Sequence, residues 1–411
     1  MKIVLAVFTL LILYLNTNAQ ERSNEAWLED LKAYQTGLEG KHIDMYNKIS
    51  KKEFEKELAK IEASSGKKTD IEITLDLMRL TRKIGDGHTA ISVRNLGFHY
   101  YPFEVQNFDG EWRIIKVAAE YSHLLGQKLT GIENEHIEAV IKKVGEVAQF
   151  VENKQSLIVR TGENLTCGEM LYGLKISAEK TRATFTFSND FGETTSLKLT
   201  ALTRPELDEA SASAKLEIGI PEVRRPETAT SKYFWYTPIT GTDGLYIHFE
   251  SYPSFEDMMK VAEEMVAYIF QNNIRQLVID LRNNGGGDLY VGLVLANALN
   301  LADPVDWKNG VYVLADNVTF SAAASNTALF RELLNAKIVG EPTGSNPTGY
   351  QDMDTFELPN SKLIVCYSKR LFRIQETASP GVQPDVLLNY DWASFSKGRD
   401  SMLEWVINEI K

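Results

Sequence analysis

From Gly241 onward the hydrophobic period switches repeatedly between two and about 3.6 residues, and no other feature constrains the fold as tightly. Strand-like runs "GLYIHFE", "QLVIDL", "VYVLAD" and "AKIVGE" alternate with helical stretches "FEDMMKVAEEMVAYIFQNN", "LYVGLVLANALN" and "SAAASNTALFRELLN". Apolar strands interleaved with amphipathic helices can bury their faces only in layers, which predicts an α/β core over residues 241–411. An extended "KLIVCYS" and a closing helix "SMLEWVINEIK" belong to the same region.

The upstream chain reads differently. Trp27, Leu28, Leu31, Tyr34 and Leu38 form one helical stripe. A second helix opens at Ser50, with Glu53 three residues on, and stops at Gly66. A third runs through "DIEITLDLMRLTRKIGDGH", so residues 20–88 are expected to form a helical module. Residues 89–205 are rich in short β-type runs with one or two helices, and residues 206–240 read as a connector.

The first 19 residues carry one cation, an apolar run from Ile3 to Leu15 and small residues at Thr17 and Ala19. That pattern predicts a signal peptide cut after Ala19, because the run is short for a membrane span of ~20 residues. A bacterial periplasmic or secreted location is the expectation. The formal charge of -12, with no basic run, argues against nucleic acid as a partner. Export permits a disulfide between Cys167 and Cys366, but nothing in the sequence requires one.

At the end of one core strand stands "DLRNNGGGD". It lacks the glycine spacing of a dinucleotide fingerprint and the Gly-Lys-Ser/Thr of a P-loop, and Asp288 would repel a phosphate. Two readings remain. The glycines make a tight strand-to-helix turn, or they bare a backbone N–H that stabilises a developing negative oxygen. One strand later "NVTFSAAAS" puts Ser321 at the head of a helix, either as an N-cap or as a nucleophile with the Ala322 N–H aimed at its target. A serine nucleophile needs a base. Of the six histidines, His88 lies in a glycine-flanked loop, His248 sits within a strand, and His42, His123 and His136 read as surface. A lysine base is not offered by "GEPTGSNPTGYQ".

In order, "LVIDLRNNGGG", "VLADNVTFSAAASNTALF", "AKIVGEPTG" and "PGVQPDVLL" resemble the S41 serine peptidases, the tail-specific or C-terminal-processing family. The likeness covers the core and, through "IGDGHTAI" and the early helices, most of the mature chain. It implies a ClpP/crotonase-like layered core and no cofactor. The processing branch pairs its serine with a lysine where this chain has Asn346, whereas "DGHT" is similar to the tricorn-like and retinoid-binding-protein-like branch.

That resemblance implies a triad of Ser321, His88 and an acid, for which Glu376 is the choice over Asp385 and Asp86. It implies an oxyanion hole built from the N–H groups of Gly286 and Ala322. The activity implied is an exported serine endopeptidase acting on polypeptides. A catalytically inactive relative binding peptides or apolar small molecules is the alternative. Many family members carry a PDZ domain, and "GQKLTGIENEHIEAVIKKV", with Ile132 and Ile137 apolar, has a faint likeness to the end of one.

Overall fold

The computed structural model describes residues 21–209, 213–376 and 379–411. The expected signal peptide lies outside the described residues. Among them, no helix is long and apolar enough to cross a membrane.

Six strands form the sheet of the α/β core, in the order 234–238, 244–249, 276–280, 311–315, 337–340 and 386–387. The first pairs antiparallel with the second, and every later neighbour is parallel. Side chains divide with a period of two. Leu245, Ile247, Leu277, Ile279, Val311, Val313 and Ile338 face the helices Phe255–Asn272, Leu289–Leu299 and Ala322–Leu334. Tyr246, Val278, Tyr312, Leu314 and Val339 face the closing helix Ser401–Ile410 through Met402, Leu403, Val406 and Ile407. Both faces are covered, which is why these strands read as unbroken apolar runs. The edge strand Phe234–Pro238 falls where the sequence reads as connector. Its pairing with Gly244–Phe249 draws the end of that segment into the core.

The helices Asn24–Lys41, Lys51–Ser65 and Asp70–Arg82 are each N-capped by a hydroxyl, from Ser23, Ser50 and Thr69. Their apolar stripes share one continuous core with the middle region, where Leu31, Leu77 and Leu80 join Phe103, Ile114 and Phe185. The middle sheet runs 213–215, 111–118, 128–132, 182–188 and 194–200, with 103–108 and 135–136 paired at its flanks. The hairpin Thr348–Glu357 and Ile364–Arg373 leaves the α/β core to pack here, with Val365 and Tyr367 in the shared cluster. It pairs with the short strand Ala90–Ser92, so two distant parts of the chain are joined two residues beyond His88. Cys167 and Cys366 are both buried and free.

One ion cluster pins the core. The Arg282 guanidinium donates to both Asp280 oxygens at 2.8 and 2.6 Å and to both Asp400 oxygens at 2.8 and 2.7 Å. All three residues are buried. Asp400 also caps the closing helix through the Leu403 N–H at 3.0 Å. Burial opposes ionisation of Asp280, and the Arg282 charge overrides it, holding the carboxyl below its ordinary value. Arg282→Ala strands two buried carboxylates. It should lower unfolding free energy by about 3–5 kcal/mol in a denaturant titration, far more than a surface pair would.

Candidate active site

Three loops meet where the parallel strands end, the place at which open α/β sheets expose their functional groups. After strand 276–280 comes the glycine-rich loop, after 311–315 the loop carrying Ser321, and after 337–340 the segment 341–347. Backbone bonds tie them together. The Phe320 N–H donates to the Asn284 carbonyl at 2.9 Å, and the Gly344 N–H to the Thr319 carbonyl at 2.8 Å. The Thr319 hydroxyl reaches the Leu281 carbonyl at 2.9 Å.

Ser321 has φ 54° and ψ -124°, a conformation side-chain-bearing residues rarely adopt, and its hydroxyl caps nothing. Such a backbone costs on the order of 1–3 kcal/mol and persists only where neighbours impose it. Here the Ser321 N–H donates to the buried Ser345 hydroxyl at 2.6 Å, and the Ser325 N–H closes onto the Ser321 carbonyl at 3.0 Å. Ser321 therefore precedes the helix as a sharp elbow and is not a side-chain N-cap. Ala322 is the first helical residue, so its N–H has no acceptor within the helix.

His88 arrives from the other side. Its Nε2 lies 2.9 Å from Ser321 Oγ, across 233 residues of chain. Asp86 shapes this loop: its Oδ1 accepts from the His88 N–H at 3.0 Å, the Thr89 N–H at 2.8 Å and the Ser368 hydroxyl at 2.8 Å. His42, which reads as surface in the sequence, is buried beneath it and holds Asp86 Oδ2 through Nε2 at 2.9 Å. Because His42 Nδ1 accepts from the Asp44 N–H at 2.9 Å, Nε2 is the nitrogen that donates. Burial opposes ionisation of Asp86, yet its bonds to His42 and Ser368 hold the carboxyl below its ordinary value. Burial pushes His88 below its ordinary 6.5, against the opposing pull of Asp86, which favours the neutral base.

Other expected residues are placed differently. Gly286 is pressed against the elbow: a Cβ on it would stand 2.7 Å from Ser321 Cβ and 2.9 Å from the Phe320 carbonyl oxygen, at φ +102°. Its N–H, the expected oxyanion donor, is taken by Asn284 Oδ1 at 2.9 Å. The Asn284 amide is itself fully buried and anchored to the Phe249 carbonyl at 2.6 Å, so Gly286 contributes close approach and not a free donor. Glu376 is exposed and makes no hydrogen bond to His88 among the described residues; it borders a hollow with Thr348, Leu371 and Arg373. Asp385 is engaged by Arg331 at 3.1 Å and the Ile338 N–H at 2.8 Å. His88 Nδ1 is buried with no side-chain partner, and the Tyr350 backbone is the hydrogen-bonding group that acts on the ring.

A cleft of about 750 Å³ lies between the middle sheet and the core, with Phe103, Trp112 and Arg160 on one wall and Asn283, Asn317 and Val318 on the other. His88 and Ser321 stand beyond its end. Phe320 connects the two places, its ring 5.6 Å below the Arg160 guanidinium and 5.3 Å from the His88 ring.

Fold and site together place a strained serine beside a buried histidine at the strand ends of an α/β core. Residues 245–305 match the model described as peptidase family S41. The fold is similar to that of mature CPAF complexed with lactacystin, at TM-score 0.64 and 14% identity, covering 94% of this chain and 98% of that one. A second structure of mature CPAF gives TM-score 0.64 at 15% identity, covering 93% and 96%. The chain is thus similar to peptidase family S41 over the first two parallel strands of the core and the helices that follow them.

Gly286→Ala should displace the elbow and cut covalent labelling of Ser321 by a fluorophosphonate on the order of 10²-fold, with circular dichroism unchanged. In the unmodified protein the limb of the labelling profile that reports His88 should lie below pH 6.5, because protonation removes the base and burial resists it.

Proposed function

We propose that the protein is an exported serine endopeptidase in which Ser321 is the nucleophile and His88 the general base. The 2.9 Å contact between His88 Nε2 and Ser321 Oγ, at a strained elbow heading a helix, carries this reading. Neutral His88 takes the Ser321 proton as Oγ bonds to the scissile carbonyl carbon. The carbonyl oxygen becomes negative beside the Ala322 N–H and the positive end of the helix, where an oxyanion donor is worth ~3 kcal/mol. The imidazolium then gives its proton to the leaving amine, and water, deprotonated by His88, releases the acyl group from Ser321. Polypeptides are the substrates that the likeness of residues 245–305 to peptidase family S41 supports. The apolar amino-terminal segment ending at Ala19 supports export.

Ser321→Ala and His88→Ala should each abolish fluorophosphonate labelling and lower cleavage of an unfolded polypeptide by roughly 10⁴-fold or more. A wild-type protein that neither labels nor cleaves would leave the non-catalytic binder as the better reading. Export predicts a mature amino terminus at Gln20, read by sequencing protein recovered outside the cytoplasm.

A further inference from the structure

The described site lacks one part. For Nε2 to accept the serine proton, Nδ1 must carry the imidazole hydrogen, and that atom is buried with no side-chain partner, the Tyr350 backbone being the hydrogen-bonding group that acts on the ring. The acids the sequence offers are placed elsewhere: Asp86 is spent on its own loop, Asp385 on Arg331 and Ile338, and Glu376 faces solvent. A fourth acid lies against the histidine loop. Glu152 comes from the turn between the helices Ile137–Val147 and Lys154–Asn164. Its stem packs on Gly87, the residue before His88: a Cβ there would meet Glu152 Cβ at 2.8 Å and Oε2 at 3.1 Å. Its other oxygen, Oε1, would lie 3.1 Å from a Cβ on Gly349, the residue before Tyr350. The Tyr350 backbone hydrogen-bonds to the His88 ring and favours its protonated form. Two glycines thus leave room for one carboxyl between the strands of chain that flank the imidazole.

We propose that Glu152 is a positioning residue for His88, a half-buried carboxyl set between Gly87 and Gly349 that switches the charge felt by the histidine. This rests on the serine peptidase reading of the site. The groups around Glu152 are few. The Asn346 N–H donates to Oε2 at 3.3 Å, in the segment where the processing branch would carry its lysine. Asp86 acts on it with like charge and Lys48 with opposite charge, the Lys48 amine being fixed on the Gly85 carbonyl at 2.6 Å. Asp86 and Asp352 are the charges acting on His88, and Arg160 lies across Phe320. Burial, reinforced by Asp86, pushes the Glu152 carboxyl up to about 8. Below that pH it is a neutral neighbour. Above it, an ionised carboxylate stabilises the imidazolium formed in the transition state.

The test is a pH profile with and without the titrating group. Wild-type fluorophosphonate labelling should rise once as His88 loses its proton and again near pH 8, the second rise being roughly tenfold, as an added charge near an imidazolium implies. Glu152→Gln, checked for folding by thermal unfolding, should keep the first limb and lose the second. A second limb that survives in Glu152→Gln overturns the proposal. An activity-independent readout separates this failure from failure of the peptidase reading. The ¹⁵N resonance of His88 Nδ1 should step with a midpoint near pH 8 in the wild type and stay flat in Glu152→Gln. Identical titrations in the two proteins sink the role of Glu152 even if Ser321 labels. A step without any labelling keeps it while removing the peptidase function.

Discussion

With a Cβ at position 286 the glycine-rich loop would collide with Ser321 Cβ, the Phe320 carbonyl and, at 3.3 Å, the Ala322 nitrogen. The absence of that one carbon lets the ends of two adjacent parallel strands close onto each other, and the remaining order follows. The Phe320 N–H can then reach Asn284, Thr319 can reach Leu281, and Ser321 is forced into a left-handed elbow. Arg282 fixes the root of the same loop by clamping Asp280 to Asp400, so a loop with three glycines has little freedom left. Rigidity at the root and bare backbone at the tip are complementary requirements of a preorganised site.

Electrostatically the site sorts its acids by their neighbours. Asp280 and Asp86 have cationic or hydrogen-bonding partners and stay ionised despite burial. Asp316 and Glu341, near the ends of strands 311–315 and 337–340, are pushed up by burial, Glu341 to about 7 with help from Asp316. Glu152 belongs with this second group. In a chain with a formal charge of -12, raising these carboxyls weakens their tendency to add negative charge beside the strand ends.

The layered core was legible because its signal is local: apolar strands, helical stripes and glycines mark themselves within ten residues. The elbow and the histidine loop were legible for the same reason, as "TFSAAAS" and "DGHT" are short and contiguous. What escaped is what depends on distant partners. His42 reads as a polar surface residue until Asp86, 44 positions on, covers it. The Gly286 N–H looks free until the side chain of Asn284 folds back. Glu152, in a bland "FVENK", carries no signal of its own, because its meaning comes from voids at Gly87 and Gly349. The single core shared by the first helices and the middle sheet was hidden likewise, since period reveals which face is apolar but not what covers it.

The strand Ala90–Ser92 that extends the histidine loop pairs with Ile364–Cys366, nearly three hundred residues downstream. Ser368, which holds Asp86, lies in the same late strand. A nascent chain therefore carries its histidine early but cannot seat it until all but the last few dozen residues have been synthesised. Synthesis proceeds at roughly 5–20 residues per second, so this ordering imposes a delay of many seconds between the histidine's emergence and its placement. The order of its own segments thus keeps the serine and the histidine apart until the fold is nearly complete.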